Sequence, residues 1–372
     1  MKPRQSNFEL IRIFAMLMII GSHYVAHGIL KVRTPDAHSV FISGETINRI
    51  ITVLYSPGGD IGVALFFMIT GYFLANRKDL VSQKKVMCQS FFYGLLLTVT
   101  TVVIVFFHLS SLVGWGSVFI MIKHLPIPIS SGSWWFVSTY ALVVLLAPLL
   151  NRLIENVNNK GVLLLVLYFG VLYVFFGFGT TYYNIIRAPF YYLAGAFVRK
   201  RNISINKQYH RYIALFIFVT MWFLYSATRF FQIEYLHNKS VLLKAFVFLS
   251  DYLMSGIFIP ICSVSLFLFL ASFIFSNGFV NKVASTTFGI YLLHDSIIGR
   301  KIIWNEIIRP EITQFSLMWY QYAFLSIATI VGIFIVCSLI DMLRQLFFER
   351  WMESRCDSFA AKIKERCFLN RS

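Results

Sequence analysis

The sequence predicts an all-α protein, a polytopic membrane helix bundle of about ten transmembrane helices. Two observations lead to this fold class. Apolar residues make up 58% of the 372-residue chain and charged residues only 13%, whereas charged residues make up about 25% of soluble domains. Several separate apolar runs also reach the roughly 20 residues that a helix needs to cross a bilayer. The bundle itself is therefore expected to carry any chemistry.

Apolar segments of spanning length, taken in chain order, predict the individual helices. Their approximate centres are Ala15, Ala64, Leu96, Leu142, Tyr168, Leu193, Val219, Val264, Ile290 and Gly332. The segment around Leu193 is short, and residues 241–269 are more than one span needs. Residues 28–60 are expected to form the longest outer loop. We therefore divide the chain into a transmembrane domain, residues 1–345, and a basic tail, residues 346–372.

The net charge of +17 comes from 33 lysines and arginines against 16 acidic residues. With about ten spans, both termini and every second loop lie on one side of the membrane, and that side carries most of the basic residues. The positive-inside rule therefore predicts that the N- and C-termini are cytoplasmic. We expect these side chains to contact anionic membrane lipids, and we expect no nucleic-acid partner.

Glu9, Arg12 and His23 lie within the first apolar segment. An ionisable side chain in a spanning helix usually faces the bundle interior or an aqueous cavity, and it marks a functional site. The eleven residues from Arg12 to His23 are close to three helical turns, so both side chains lie on one face, about 16 Å apart. Glu9 precedes Arg12 by three residues and is placed to pair with it. The pattern predicts a polar track along one helix that ends at a histidine.

Four segments carry a likeness to a known family: residues 9–12 (Glu-Leu-Ile-Arg) followed by His23, residues 58–78, residues 135–151 and residues 287–294. In this order they resemble the acyltransferase-3 family of integral-membrane acyltransferases, and the likeness covers nearly the whole chain. The resemblance implies an O-acyltransferase of the acetyltransferase type, with about ten spans as in the family.

The resemblance also implies which molecules react. An acyl group, usually acetyl, is expected to pass from cytoplasmic acyl-CoA to a hydroxyl of a cell-surface polysaccharide or of its lipid-linked precursor. Members need a first-span arginine and histidine with ten residues between them, and Arg12 and His23 match. The basic residues after the second span, Arg77, Lys78 and Lys84, are implied to hold the CoA phosphates. The family often has an Arg-x-x-Arg pair there, whereas in this chain Arg77 and Lys78 are followed by Lys84 and Lys85.

Elementary chemistry agrees with these roles. Arginine and lysine form charge-assisted hydrogen bonds to phosphates. His23 can take a proton from an attacking hydroxyl and return it to the leaving thiolate, or it can carry the acyl group covalently; the sequence leaves both open. Arg12, paired with Glu9, is expected to stabilise negative charge at the thioester or to hold the pantetheine arm. His23, Arg12 and Glu9 are therefore the predicted catalytic residues.

Four further residues are predicted to bind the acceptor substrate. His294 and Asp295 form a second polar pair at the end of an apolar segment, where a purely structural hydrogen bond is the alternative. Asp60 follows two glycines and is alternatively a helix cap. Trp135 belongs either to an interfacial aromatic belt or to a site that stacks on sugars. His27 shows no metal-ligand spacing along the chain, and no metal is expected.

Two other functions stay open from the sequence. In a secondary transporter, Glu9, Arg12, His23 and His294 would form a proton relay, although the two related halves common in transporters are not visible here. A sensor or scaffold would tolerate the loss of His23. For the acyltransferase, the expected partners are acetyl-CoA as donor substrate, a saccharide acceptor and membrane lipids, in a bacterial plasma membrane.

Overall fold

A computed structural model of the chain describes residues 5–31, 39–124, 134–155, 183–203, 208–236 and 249–352, together with 158, 160, 161, 164, 167, 168, 171 and 354. The helices within these ranges are α1 Ser6–His23, α2 Ser39–Ser43, α3 Thr46–Tyr55, α4 Gly58–Leu74, α5 Lys84–Phe106, α6 Trp115–His124, α7 Trp135–Glu155, α8 Tyr183–Lys200, α9 Gln208–Leu236, α10 Ile259–Ala271, α11 Gly278–Ala284, α12 Thr287–His294, α13 Ile297–Ile302, α14 Pro310–Thr313 and α15 Trp319–Phe347. Three π-helical segments are also present, Tyr24–Ile29, Leu253–Phe258 and Ile303–Ile308.

The predicted all-α membrane bundle is confirmed. Across the described ranges there is no strand, and seven helical segments are long and apolar enough to cross a membrane. They are Ser6–Ile29, Thr46–Leu74, Lys84–Phe106, Trp135–Glu155, Gln208–Glu234, Leu249–Ala271 and Trp319–Phe347. Each contains one of the predicted span centres. Most of the predicted span around Tyr168, and the tail beyond residue 354, lie outside the described residues.

The predicted outer loop, residues 28–60, differs from expectation because it contains α3, which continues through a turn into α4. The polar residues of this segment indicated a loop in water, but in α3 they face the protein interior. Asn48 Nδ2 donates to the carbonyls of Phe315 and Leu317, at 3.0 and 2.7 Å. The apolar Ile47 is 50% exposed. A helix against lipid can reverse the pattern of a helix in water, because its polar groups must find partners inside the protein.

The segment around Ile290 also differs from the continuous span that its composition predicts. It forms the short α12, which ends at His294, and the chain turns at Asp295 and Ser296 before α13. Ser296 caps α13 by accepting a hydrogen bond from the Gly299 N–H at 2.8 Å. Broken helices are tolerated at membrane depth where they are buried in protein or line a cavity.

Hydrogen bonds show which helix ends lie together. Asn7 Nδ2, in the first turn of α1, donates to the carbonyl of Ala271, the last residue of α10. Asn151 Nδ2, near the end of α7, donates to the carbonyl of Leu74, the last residue of α4. The end of the bundle that contains the start of α1, the end of α4 and residues 74–85 is called the basic end. The opposite end, where α1 and α12 finish at His23 and His294, is called the histidine end.

Helix α4 lies at the centre, in close contact with both α1 and α8. Small residues allow the approach: Gly71 faces the backbone carbonyl of Tyr192, and Gly195 faces that of Met68. A Cβ at either position would overlap the carbonyl opposite. Small residues at helix interfaces let backbones pack closely in membranes, where dispersion contacts replace the hydrophobic effect. This packing sets the relative position of the helices that carry the polar residues.

Gly195→Val is expected to destabilise the bundle, because the new side chain would overlap the Met68 carbonyl. Overpacking costs about 1–3 kcal/mol or more. Gly332→Val is the matched control, since a Cβ at that position of α15 meets nothing within 4 Å. The measurement is the thermal unfolding midpoint of each purified variant in detergent. Equal midpoints for the two variants would contradict close packing of α4 on α8.

Candidate active site

A cavity of about 500 Å³ runs between α1, α4, α5, α7 and α12. Lys85 and Ser285 line it at the basic end, and His23 and Asp295 line it at the histidine end. Arg12 lies on its wall between the two ends. The cavity has a volume typical of small-molecule sites. The polar track predicted along the first helix therefore faces a space that extends between the two ends of the bundle.

His23 and His294 form a hydrogen-bonded pair at the histidine end. His23 Nδ1 lies 3.1 Å from His294 Nε2, and His294 Nδ1 lies 2.7 Å from the Ile290 carbonyl oxygen. Because a carbonyl only accepts, the proton of a neutral His294 is assigned to Nδ1, and its Nε2 accepts from Nδ1–H of His23. This assignment leaves the Nε2 lone pair of a neutral His23 available. His294 is fully buried behind His23 and does not itself line the cavity.

Asp295 places a negative charge beside this pair. Its Oδ1 lies 3.6 Å from His23 Nδ1 and 3.6 Å from Arg300 Nε. Both distances are those of ion pairs and are too long for good hydrogen bonds. A carboxylate at this range stabilises the histidine after it gains a proton, because opposite charges favour the charged form. Arg300 moderates that effect by sharing the carboxylate.

Glu9 and Arg12 form the ion pair that their spacing predicts. Arg12 Nη1 lies 3.1 Å from Glu9 Oε2 and 3.3 Å from Oε1. The Glu9 side chain is 5% exposed, whereas that of Arg12 is 31% exposed and borders the cavity. A buried carboxylate holds its partner in place. Glu9 therefore orients Arg12 toward the cavity.

Asp60, Arg187 and Trp135 meet at the histidine end of the same cavity. Asp60 and Trp135 come from the first turns of α4 and α7, and Arg187 comes from the second turn of α8. Arg187 Nη1 is paired with Asp60 Oδ1, and its guanidinium lies 5.1 Å from the centroid of the Trp135 ring. The Arg187 side chain is only 5% exposed. This cluster combines hydrogen-bonding groups with an aromatic surface, near His23.

Comparison with known proteins assigns the chain to a family. The family described as "Acyltransferase domain", which is the acyltransferase-3 family, matches residues 5–338. The chain belongs to the acyltransferase-3 family. Searches of curated proteins and of solved structures found no match. The resemblance noted in the sequence is thereby confirmed, and the protein is a multi-pass membrane acyltransferase.

The acyltransferase-3 resemblance implies donor contacts at Arg77, Lys78 and Lys84, and the structure places all three at the basic end. Arg77 and Lys78 are exposed in the loop between α4 and α5, and Lys84 begins α5. None of the three is among the described residues that line the cavity, whereas Lys85 is. Lys85 Nζ lies 2.5 Å from Glu349 Oε1. A donor role for the three stays a prediction, and the geometry adds Lys85.

His27 comes close to the pair through local backbone geometry. The π-helical turn Tyr24–Ile29 follows α1 directly, and such turns are frequent at functional sites. The ring centroids of His23 and His27 are 5.2 Å apart, and possible ligand atoms of His23, His27 and Asp295 lie within 4.8 Å of one another. That spacing is able to hold a metal ion. Arg300 beside Asp295 disfavours a cation there by charge repulsion, so the absence of metal stays our prediction.

The sequence predicted no role for three nearby residues, His27, Arg187 and Arg300. Arg187 carried a signal, since it is a charged residue within an apolar, aromatic stretch. His27 carried a weaker one, because it lies four residues after His23. The sequence does not predict the ion pair between Arg300 and Asp295, because that pair depends on the break in the helix after α12.

Proposed function

We propose that this acyltransferase transfers an acetyl or closely related acyl group from acyl-CoA to a hydroxyl of a cell-surface polysaccharide or of its lipid-linked precursor. The observation that supports it best is the cavity with Lys85 at one end and His23 at the other. By the positive-inside rule the basic end faces the cytoplasm, the source of acyl-CoA. The acceptor then meets the acyl group at the histidine end, on the outer side of a bacterial plasma membrane.

The proposed reaction balances without a metal. The acceptor hydroxyl oxygen attacks the thioester carbonyl carbon while His23 Nε2 takes the hydroxyl proton. The new C–O bond forms, the C–S bond breaks, and the proton passes from His23 to the sulfur to give free CoA. His294 holds His23 in the tautomer that this step needs, and Asp295 stabilises the protonated ring. The same lone pair would serve if His23 first carried the acyl group.

The acceptor site in this proposal is the cluster of Asp60, Arg187 and Trp135. A carboxylate accepts hydrogen bonds from hydroxyls, and a guanidinium donates them to hydroxyl or ring oxygens. The indole ring presents an apolar surface against which a sugar ring can pack. Pairing between Asp60 and Arg187 also offsets the charge of both groups, which favours an uncharged sugar over an acidic one.

Transfer from labelled donor tests the function. Purified protein in nanodiscs is incubated with [14C]acetyl-CoA and with either surface glycan or its lipid-linked precursor. We expect glycan-bound label that mild alkali releases, since the product is an ester. Absence of label on every acceptor, with acetyl-CoA and with longer acyl-CoA donors, would overturn the proposal. A second incubation without acceptor, quenched and digested, separates the mechanisms: label on the His23 peptide indicates a covalent carrier.

Lys85→Gln is expected to raise KM for the donor about fivefold, because an exposed charge contributes up to about 1 kcal/mol. Lys85 borders the cavity, although its side chain is 68% exposed. Lys78→Gln is the comparison, since Lys78 is an exposed lysine of the loop before α5, lies outside the cavity lining, and is itself a predicted donor contact. Initial rates at varied acetyl-CoA concentration give both values. An equal or larger rise for Lys78→Gln would place the donor outside the cavity mouth.

A further inference from the structure

A second cavity, of about 560 Å³, opens at the basic end, and we call it the α8 pocket. Its walls include Arg199, Lys200, Arg201 and Asn202 at the end of α8, with Asn76 after α4 and Glu155 from α7. Three consecutive basic residues thus face a space with a single carboxylate among its described lining. The pocket therefore has a net positive charge, and it is separate from the cavity of His23.

Two of the basic side chains are held in place by neighbours. The Arg199 guanidinium lies 5.1 Å from the Tyr72 ring centroid, and its Nη1 donates to the Tyr72 hydroxyl at 3.2 Å. Lys200 Nζ lies 3.1 Å from Glu155 Oε1 and 3.3 Å from the Asn151 carbonyl oxygen. The Lys200 side chain is 12% exposed. Side chains that are already ordered lose less entropy when a ligand binds.

The backbone turn after α8 gathers the charges around the pocket. Asn202 has a φ of 46°, in the left-handed region, and the Ile203 N–H donates to the Val198 carbonyl at 3.0 Å. This is a common way to end a helix. Exposed carbonyls at a helix end carry partial negative charge and disfavour anions. Any anion in the pocket must therefore bind to the side chains, and the planar arginine group suits phosphate.

The α8 pocket is tied to the loop that carries Arg77. Asn151 Nδ2 donates to the carbonyl oxygens of Leu74 and Arg77, at 2.7 and 2.8 Å. Thr70 of α4 lines the main cavity, and Asn76, two residues after α4 ends, lines the α8 pocket. These positions are six residues apart, which is at most about 20 Å even for extended chain. The two cavities therefore lie within reach of one elongated molecule.

We propose that the α8 pocket binds a phosphate group. Two molecules at this end of the bundle carry that chemistry: the nucleotide end of the CoA donor, through its 3′-phosphate, and an anionic lipid headgroup. The first source rests on the proposed function, whereas a phosphate site as such does not. Arg199 and Arg201 supply the charge, and Lys200 with Glu155 keeps the turn in place.

The test compares two donors and three proteins, the wild type, a double variant and a control variant, in nanodiscs of phosphatidylcholine. The variant is Arg199→Gln/Arg201→Gln, and the control is Arg152→Gln, an exposed arginine of α7 that is not among the described pocket residues. Dissociation constants are measured for acetyl-CoA and 3′-dephospho-acetyl-CoA. We expect the wild type and the control to bind acetyl-CoA about tenfold more tightly than 3′-dephospho-acetyl-CoA, as for one charge-assisted contact. The double variant should bind both donors equally.

A second measurement tests whether the phosphate group comes from an anionic lipid headgroup. Thermal midpoints are compared in nanodiscs with and without phosphatidylglycerol. If a headgroup fills the pocket, the lipid raises the midpoint of the wild type and control but not of the double variant, and the two donors bind alike. If the double variant matches Arg152→Gln in both arms, the proposal is overturned. Because these readouts measure binding, failure of acyl transfer alone would leave the phosphate site standing.

Discussion

His23→Gln is expected to abolish acyl transfer while the protein still folds. His23 borders the cavity with a side chain that is 20% exposed, and its Nδ1 pairs with His294. Glutamine keeps a polar group there but cannot take up a proton at neutral pH. Loss of a general base lowers the rate by about 10²–10⁴-fold, and loss of a covalent carrier lowers it at least as far. The measurement is labelled transfer at equal protein levels.

Two further variants test whether the loss of acyl transfer is specific to His23. His210→Gln, at an exposed position of α9 outside the cavity lining, should transfer as well as the wild type. His294→Gln should be intermediate: kcat falls, and KM for the donor stays unchanged, because His294 contacts His23 and not the cavity. If His23→Gln retained half of the wild-type rate, His23 would have no part in the chemistry.

Arg12→Gln is expected to weaken donor binding about tenfold, as for one charge-assisted hydrogen bond. Arg12 lies on the cavity wall, and α1 is continuous from Ser6 to His23. Arg12 and His23 are eleven positions apart on this helix, about 16 Å. The two side chains are therefore too far apart to contact the same thioester carbonyl. This distance favours the hypothesis that Arg12 holds the pantetheine arm, so KM should rise more than kcat falls.

A double-mutant cycle separates binding from stability. Arg12→Gln also removes a partner of Glu9, whose side chain is 5% exposed, and removing a partner of a buried charge is destabilising. Glu9→Gln combined with Arg12→Gln should recover part of the unfolding midpoint but none of the donor affinity. Arg12→Lys should keep part of the affinity, since the charge remains. A rise in kcat/KM in the double variant to the wild-type value would exclude a donor contact by Arg12.

The spacing of residues along the chain was enough to predict much of the candidate site. The three-residue step from Glu9 to Arg12 predicted an ion pair, which the structure contains. The helical period also placed Arg12 and His23 on one face, and both line the cavity. The pairing of His23 with His294 could not be predicted, because 271 residues separate them and no sequence pattern specifies which spans are neighbours. The same holds for Arg187 and Asp60, which are 127 residues apart.

The sequence by itself determined the membrane environment, most of the spanning helices and the family, because these depend on apolar length and on short motifs. Only the tertiary structure decided which polar residues meet. It turned the polar face of α3 inward, ended α12 at His294 and brought Lys85 to the cavity wall. The physical reason is that buried polar groups must find partners across the bundle. Those partners depend on how α1, α4 and α8 pack, which local propensity does not encode.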